Sequence, residues 1–481
     1  MRTFFIFLVI LFAFSSIRVF ATCTLEIGVN SIFRYENWNY FKFGNYQNSY
    51  TFYGIKLKPF VKIAFSNGMS LGLGINMVGL GNLPRNAVAV NPAGFLGLGA
   101  NYYFSNSTLN NSSITAVVVR ELSLGYKTKN FSFKVGRFGF SDGTELSDFY
   151  SKDLVFLKNT RISERLIGPF GFTYAERAFD GLNLSYSPKS NISLNFGYFH
   201  PTFGAFEIST ANRTIQKITV TYFSYNLAFD KNTDFRLFFV NYNDDRNLIK
   251  PSNRSGIQGK TNISNIGLHF IKVIQKKNYS MDFIGWYSYQ WGKWGQLDNG
   301  SNLLKISHKA YAFDIEVGYK LNNVNWKPHF RVCYFHGSGD SNPLDNKHET
   351  YFVFLANGRK FALFPLYNQQ NLNDLTFQLI FSPIQKSKVR LDYSIISLDK
   401  KDDGWYMGSG AFNNSSFGIR YIPSLGSKKL ANIFSISVNY DFTSKNSISL
   451  FYSVANGKDI IRRIYHSNRA SYFFVEINQK F

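Results

Sequence analysis

The chain has little cysteine, little acid and no long apolar stretch beyond its first residues. Only Cys23 and Cys333 occur, far apart, so no disulfide scaffold is being built. After the opening segment no run approaches the roughly 20 apolar residues that a membrane helix needs, which excludes a helical inner-membrane transporter. Aspartate and glutamate total 30 against 53 lysines and arginines, a formal charge of +23. The basic residues are scattered along the chain instead of clustered, so nucleic acid is not the expected partner. No repeat or linker divides the sequence, and one domain is expected over 22–481.

What is present is an export pattern followed by alternation. Met1 and Arg2 precede an apolar run from Phe4 to Phe14, and Val19-Phe20-Ala21 offers a small residue at a cleavage point, so 1–21 reads as a signal peptide. Acylation of Cys23 is the competing reading, but Phe20-Ala21-Thr22 is a poor approach to a lipidated cysteine. The chain carries 51 Phe and 30 Tyr interleaved with Asn, Ser and Gly. This is the mixture a barrel strand requires, because one side chain meets lipid while its neighbour meets water. The last residues alternate Phe473, Val475, Ile477 and Phe481 against Glu476, Asn478 and Lys480, as in a barrel-closing strand.

Period-two alternation predicts strands near 24–36, 52–66, 69–80, 114–127, 131–138, 179–188, 191–200, 215–229, 234–243, 261–275, 279–291, 307–320, 325–336, 373–382, 386–397, 430–441, 446–455 and 470–481. A nineteenth candidate, Phe95 to Phe104, spoils an even count. Tight connections such as Ser66-Asn67-Gly68 and Lys127 to Asn130 alternate with long ones near 81–113, 139–178, 337–372 and 398–429. Barrels keep short turns on the periplasmic side and long loops outside. The two patterns agree only if 81–113 is one external loop holding the extra segment as a hairpin arm or plug-like excursion. The expected fold is therefore all-β: a transmembrane antiparallel barrel of eighteen strands in the bacterial outer membrane, closed by its C-terminal strand.

Parity then assigns faces. In 52–66, Tyr53, Ile55, Leu57, Val61 and Ile63 share one side while Lys56, Lys58 and Lys62 share the other. A lysine facing lipid at the midplane costs about 2–4 kcal/mol, so the three are expected to point inward. The same argument sends Arg34, Lys134, Arg236, Lys327, Arg331, Lys388, Arg390 and Lys480 inward, with Glu26, Glu121, Asp314, Glu316, Asp392 and Glu476. Loss of Arg2 and Arg18 leaves the mature chain at +21. A basic wall concentrates anions, although part of the excess sits in turns such as Lys127-Thr128-Lys129 and in outer loops near anionic lipid.

Three regions carry a resemblance. They are Lys134-Val135-Gly136-Arg137 with Glu176-Arg177-Ala178-Phe179-Asp180-Gly181-Leu182, then His336-Gly337-Ser338-Gly339-Asp340-Ser341-Asn342-Pro343-Leu344-Asp345, and the closing pair through Ala455-Asn456-Gly457-Lys458-Asp459 to Phe481. Together they resemble the alginate-export family of Gram-negative outer-membrane proteins. The resemblance implies an eighteen-stranded barrel whose narrow basic lumen guides carboxylates, with Arg137 and Arg177 near the constriction and Asp340, Asn342 and Asp345 in a structured external loop. Family membership does not imply alginate. Arg137 also falls on the lipid-facing parity of its strand unless the strand ends or bulges there. Arg177 and Asp180 offer an ion pair pinning a strand end as an alternative. Asp340 and Asp345 offer oxygen ligands to Ca²⁺, otherwise simply a turning loop; no other cofactor is expected.

The first functional expectation is a monomeric passive channel with a basic lumen, passing anionic solutes or an anionic polysaccharide. A general or neutral-solute porin is the alternative. An outer-membrane enzyme would need a nucleophile with an oriented base, and His200 and His336 are the first places to look. A plug-bearing receptor of twenty-two strands would need more chain. The expected partners are outer-membrane lipid, lipopolysaccharide and the barrel-assembly machinery.

Overall fold

The computed structural model describes residues 23–45, 48–85, 111–205, 208, 213–298 and 303–481. The expected signal peptide and the Phe95–Phe104 segment lie outside these residues. Strands β1 (Cys23–Asn39), β2 (Ser49–Phe65), β3 (Met69–Gly81), β4 (Ile114–Lys127), β5 (Phe131–Phe138), β6 (Phe179–Lys189), β7 (Ile192–Pro201), β8 (Ile218–Asp230), β9 (Thr233–Asp244), β10 (Thr261–Gln275), β11 (Tyr279–Asp298), β12 (Leu303–Leu321) and β13 (His329–Gly337) pair antiparallel in order. After them come β15 (Leu372–Phe381), β16 (Ser387–Ser397), β19 (Lys429–Asp441), β20 (Asn446–Gly457) and β21 (Arg469–Lys480). The ring closes where β21 pairs with β1, from Asn30↔Lys480 to Asn39↔Ser471. That makes eighteen strands, each on an expected segment. A short strand β14 (Lys347–His348) adds parallel to β12 outside the ring, and β17 (Gly404–Gly408) pairs with β18 (Ile419–Pro423) as a separate hairpin.

Burial shows what the alternation is for. On β12, Ile315 and Val317 are each 48% exposed, whereas the intervening Asp314 and Glu316 are 1% and 0% exposed. A soluble protein would invert this pattern; a barrel in lipid with a filled lumen requires it. Closure gives every strand of the ring a partner on both sides, the condition for a sheet to cross hydrocarbon.

Two departures from simple parity matter. Residues of β3 and β4 pair up to Gly74↔Glu121 and resume at Ile75↔Val119, leaving Arg120 as the extra residue of a bulge. Arg120 and Glu121 therefore both turn toward the lumen. The second departure corrects an expectation: β13 begins at His329, and Lys327 sits exposed in the preceding turn at φ +44°, not on the lumen wall. Pro328 has no N–H to give a ladder, which ends the strand there.

The connection 139–178 was expected as an external loop; it leaves the long-loop end of the barrel but does not stay there. The chain runs down the lumen to the opposite mouth, forms α1 (Lys152–Leu157) and a π-helical turn (Lys158–Ile162), and climbs back to β6. Ser151 caps α1 through its side chain, and its own N–H donates to Lys231 O in the β8–β9 turn at 2.8 Å. Asp153 of α1 meets Lys320 and Gln275 near the turn-end termini of β12 and β10, at 2.7 and 2.9 Å. The segment is thus a plug spanning the barrel from end to end. Part of the loop between β13 and β15 packs on it: Leu355 N–H donates to Leu166 O at 3.0 Å, and Gly168 N–H donates to Leu355 O at 2.9 Å.

Candidate functional site

The plug and the wall are charge-complementary. Along the plug the basic residues Lys158, Arg161 and Arg165 face acidic wall positions, and the acidic residues Asp142, Glu145 and Glu176 face basic ones. Lys158 Nζ lies 2.8 Å from Asp234 Oδ2 on β9, which also accepts from His269 at 2.8 Å. Arg161 Nε donates to Glu316 Oε1 at 2.7 Å, and Arg331 on β13 holds the other oxygen of Glu316 at 2.5 Å and pairs with Asp282. Arg165 pairs with Asp314 and stacks over Trp286 and Phe361. In the opposite sense, Arg236 lies 3.3 Å from Asp142 and 3.6 Å from Glu145. The second oxygen of Asp142 accepts from the N–H groups of Leu166 and Ile167, at 3.1 and 2.9 Å, so one carboxylate ties the descending limb to the ascending one.

Against β2 and β4 the ascending limb is strapped by Glu176. Lys56 Nζ donates to its Oε1 at 2.7 Å and Lys58 at 2.9 Å, and Arg120 lies 3.4 Å from Oε2. Burial works to raise the Glu176 carboxyl, but Lys56, Lys58 and Arg120 outweigh it and hold it well below the usual carboxylate range. Lys56 also donates to Gly171 O and Thr173 O, each at 3.0 Å, and is 1% exposed. The expectation of three lysines in one free aqueous column is therefore corrected. Lys56 is a buried strut, Lys58 is half-covered, and Lys62 rests over the Phe60 ring nearer the turn end.

The other expected lumen residues divide the same way. Arg34 pairs with Glu476 (Nε–Oε2 2.7 Å) and donates to Phe172 O, also at 2.7 Å. Lys134 pairs with Glu121 at 2.5 Å, Arg390 with Asp392 at 2.7 Å, and Lys388 caps the Phe156 ring of α1 at 4.2 Å. Arg137 is placed away from the constriction that the resemblance implied. It forms a two-pronged pair with Asp180 at 2.6 and 2.7 Å, where β5 and β6 end at the long-loop rim, just after Gly136 turns with φ +108°. Asp180 thus takes Arg137, not Arg177, as its partner. Arg177, fully buried, donates to four carbonyls, Gly168 O, Leu355 O, Ser409 O and Ala411 O, at 2.8–3.4 Å. It clips the plug to the β13–β15 loop and to the β17–β18 hairpin.

In the motif loop, Asp340 Oδ1, Asn342 Oδ1 and Asp345 Oδ1 accept from the N–H groups of Asn342, Leu344 and Lys347, two residues on in each case. These are successive side-chain turns, the structural reading of that motif. Among the described residues, no cluster of three or more His, Cys, Asp or Glu is arranged for a metal. His200 Nδ1 contacts Ile218 O at 2.7 Å and His336 Nδ1 contacts Asn373 Oδ1 at 2.8 Å, both contacts to the barrel wall.

One side of the lumen holds a cavity. Between the plug and β16, β19, β20, β21 and β1 lies a cavity of about 390 Å³, lined by Arg34, Asn159, Phe172, Asn357, Arg359, Lys360, Arg390, Ser437, Asn439, Ser449 and Glu476. Its lower end reaches Asn439 and Ser449, a few residues from the β19–β20 turn. A separate cavity of about 50 Å³, which shares Arg390 and Leu363 with it, is lined by Arg161, Arg165 and Asp392. Arg359, from the short helix α2 (Gly358–Phe361), is the residue that parity could not have found, because it reaches the passage from a loop. It is 6% exposed, its guanidinium lies 4.4 Å from the Phe172 ring centre and 4.5 Å from that of Phe451, and none of the ion pairs among the described residues includes it. Its Nε and Nη1 have no hydrogen-bond partner, and burial pushes it down to about 10.

A family model described as alginate export matches residues 159–470, well over half of the chain. The chain belongs to the alginate-export family. No curated protein matches it closely enough to report. Among solved structures, OccAB2 of Acinetobacter baumannii superposes with a TM-score of 0.57 at 10% identity, covering 95% of this chain and 98% of that one. OccK9 (OpdG) of Pseudomonas aeruginosa gives 0.56 at 8% identity with the same coverage. OpdK of the same organism, solved with vanillate, gives 0.52 at 8%, again covering 95% and 98%. At these identities the likeness is one of fold. This family member is an outer-membrane β-barrel, as its closed ring and outward apolar face independently require.

Proposed function

We propose that the protein is a passive outer-membrane channel for small polar solutes, with its plug setting the size limit. The open passage beside β16 and β19–β21 carries this reading. Its β19–β20 side offers Ser437, Asn439 and Ser449, which replace part of a solute's hydration and release it again, and Arg34, Arg359, Lys360, Arg390 and Glu476 complete its lining. A folded plug held by buried ion pairs leaves room for single small molecules; a polysaccharide strand would need the plug withdrawn. Anion preference is a second reading, favoured by Arg359, whose charge lacks a carboxylate partner and whose free N–H groups suit a carboxylate edge. The vanillate held by OpdK is itself a small carboxylate. Liposome swelling with the purified barrel tests both readings. Small sugars and amino acids should enter and oligosaccharides should not, and swelling with short-chain carboxylates should fall in Arg359→Met while that with sugars is kept. Entry of oligosaccharides as fast as monosaccharides would overturn the size limit, and equal carboxylate rates in Arg359→Met would remove anion preference.

A further inference from the structure

The outward face of the long-loop end carries a cation cluster that channel function does not use. Ser307 on β12 is paired across β11 with Lys293 and across β14 with Lys347. Its own-strand neighbours on the same face are Lys305 and Lys309. Paired side chains lie about 4.5–5.5 Å apart at Cβ and next-but-one residues of a strand about 7 Å, so four lysine side chains leave the backbone around Ser307, whose hydroxyl donates to Asn346 O at 3.1 Å. The face is settled by burial: Ile306, His308 and Ala310 point inward at 1–2% exposure, and His348, next to Lys347, points inward to meet His308 Nδ1 at 2.9 Å. None of the ion pairs among the described residues includes these four lysines, whereas the nearby Lys260 has Asp245 at 3.0 Å. Like charges at such spacing repel, and most lumen charges of this protein are paired instead.

The level of the cluster points to its ligand. Trp291 lies directly across from Lys309, level with the lowest of the lysines, and Tyr289 lies across from Tyr311 two residues nearer the turn end. Trp291 and Tyr289 stack at 6.0 Å, and Phe239 lies against Trp291. Such a belt marks the boundary of hydrocarbon and headgroup, so the lysines stand at headgroup height on the long-loop side, which is the cell exterior. We infer that Lys293, Lys305, Lys309 and Lys347 form a binding site for the phosphate of a phosphorylated glycolipid of the outer leaflet. Ser307 is at its centre, and the aromatic belt lies beneath the acyl-chain junction. The stems of the lysines cover apolar surface while their ammonium groups reach the phosphate.

The test uses the full mature chain refolded in detergent and native mass spectrometry with diphosphoryl lipid A. The wild type should retain lipid A, and removal of both phosphates from the lipid should abolish retention. K293Q/K305Q/K309Q/K347Q should weaken binding at least about thirtyfold, since each lysine near a lipid surface contributes of the order of a fivefold factor. The turn-end variant K127Q/K129Q/K276Q/K277Q, equal in charge removed, should bind as wild type. Heat-modifiable migration on gels shows that each variant is folded. Equal binding by the rim variant, equal loss in the turn-end variant, or retention of dephosphorylated lipid A would each overturn the site.

Discussion

The two sides of the lumen are built by opposite rules. On β8–β13 the inward positions include Asp234, Arg236, Asp282, Asp314, Glu316 and Arg331, nearly all sealed from solvent and each opposed by a charge of the plug or of a neighbouring strand. On β16 and β19–β21 the inward positions include Ser435, Ser437, Asn439, Ser449 and Ser453, bonded mostly to one another, as in Ser435–Ser453 at 2.8 Å and Ser449–Asn439 at 2.7 Å. Buried ion pairs hold a segment in one register because losing one partner strands the other charge. Neutral hydroxyls and amides hold nothing strongly, which is what a passage needs. The difference teaches that the charges of β8–β13 mainly anchor the plug, and the route proposed for solute lies on the other side, against β19 and β20.

The bluntest way to break the contrast is to remove the plug. Replacing 141–176 by a short Gly-Ser linker should raise single-channel conductance several-fold and abolish the size limit, because an empty barrel of this strand number leaves a water-filled pore. An unchanged conductance in planar bilayers would show that ions do not pass beside the plug at all. Next in size are substitutions on the charged side. Glu316→Gln leaves Arg161 and Arg331 short of their shared carboxylate and should cost about 3–5 kcal/mol of plug anchoring. Ser437→Ala, on the open side, should stay within about 0.5 kcal/mol. Urea titration and current noise read the two together; equal effects would end the distinction between anchoring and lining walls.

A smaller effect separates charge from strapping at Lys56. Lys56→Glu places a carboxylate against Glu176, while Lys58 and Arg120 still neutralise part of the pair. Lys56→Met removes the charge and keeps the stem. The glutamate variant should show frequent closures or flicker from a loosened 171–177 limb, and the methionine variant less. A clean shift of reversal potential toward cations without flicker would instead mean that Lys56 faces the passage.

The strands were legible because a wall between lipid and lumen imposes period two on it, as β2 from Tyr50 to Lys56 and β12 from Tyr311 to Gly318 display. Arg120 was not legible, since a bulge changes parity by one and only the partner strand reveals it. The plug was not legible either. Its charges, Asp142, Glu145, Lys158, Arg161, Arg165 and Glu176, are plain in the sequence, but a segment without periodicity does not declare whether it stays outside or enters the barrel. Parity could send Arg236 and Arg331 inward, yet it says nothing about what meets them there. Arg359 belongs to the same class, a loop residue whose surroundings exist only after folding.

The mildest test concerns the long-loop end, where acid meets acid instead of base. The N–H of Asp340 donates to Asp403 Oδ2 at 3.0 Å, and Thr350 and Tyr406 hydroxyls donate to the same carboxylate at 2.5 and 2.8 Å. Burial pushes the Asp340 carboxyl up to about 7; the Asn342 N–H works against this, and Asp403, Asp345 and Glu349 add to it. Burial likewise raises Asp403. A carboxyl with a raised folded value binds its proton more tightly when the loop is folded. The loop is therefore most stable below the ordinary carboxylate value near 4, loses stability as pH rises, and is least stable above about 7. The lumen pairs on the plug work in the opposite sense, because Glu176 lies below its ordinary value and would be lost only in acid. Proteolysis of the intact barrel in the 338–350 segment should accordingly be faster at pH 8 than at pH 5, compared at matched protease activity, while channel current stays constant over that range. Asp340→Asn should flatten the dependence toward the slow, low-pH behaviour. Cleavage that is independent of pH in the wild type, or as steep in Asp340→Asn, would show that Asp340 does not tune this loop.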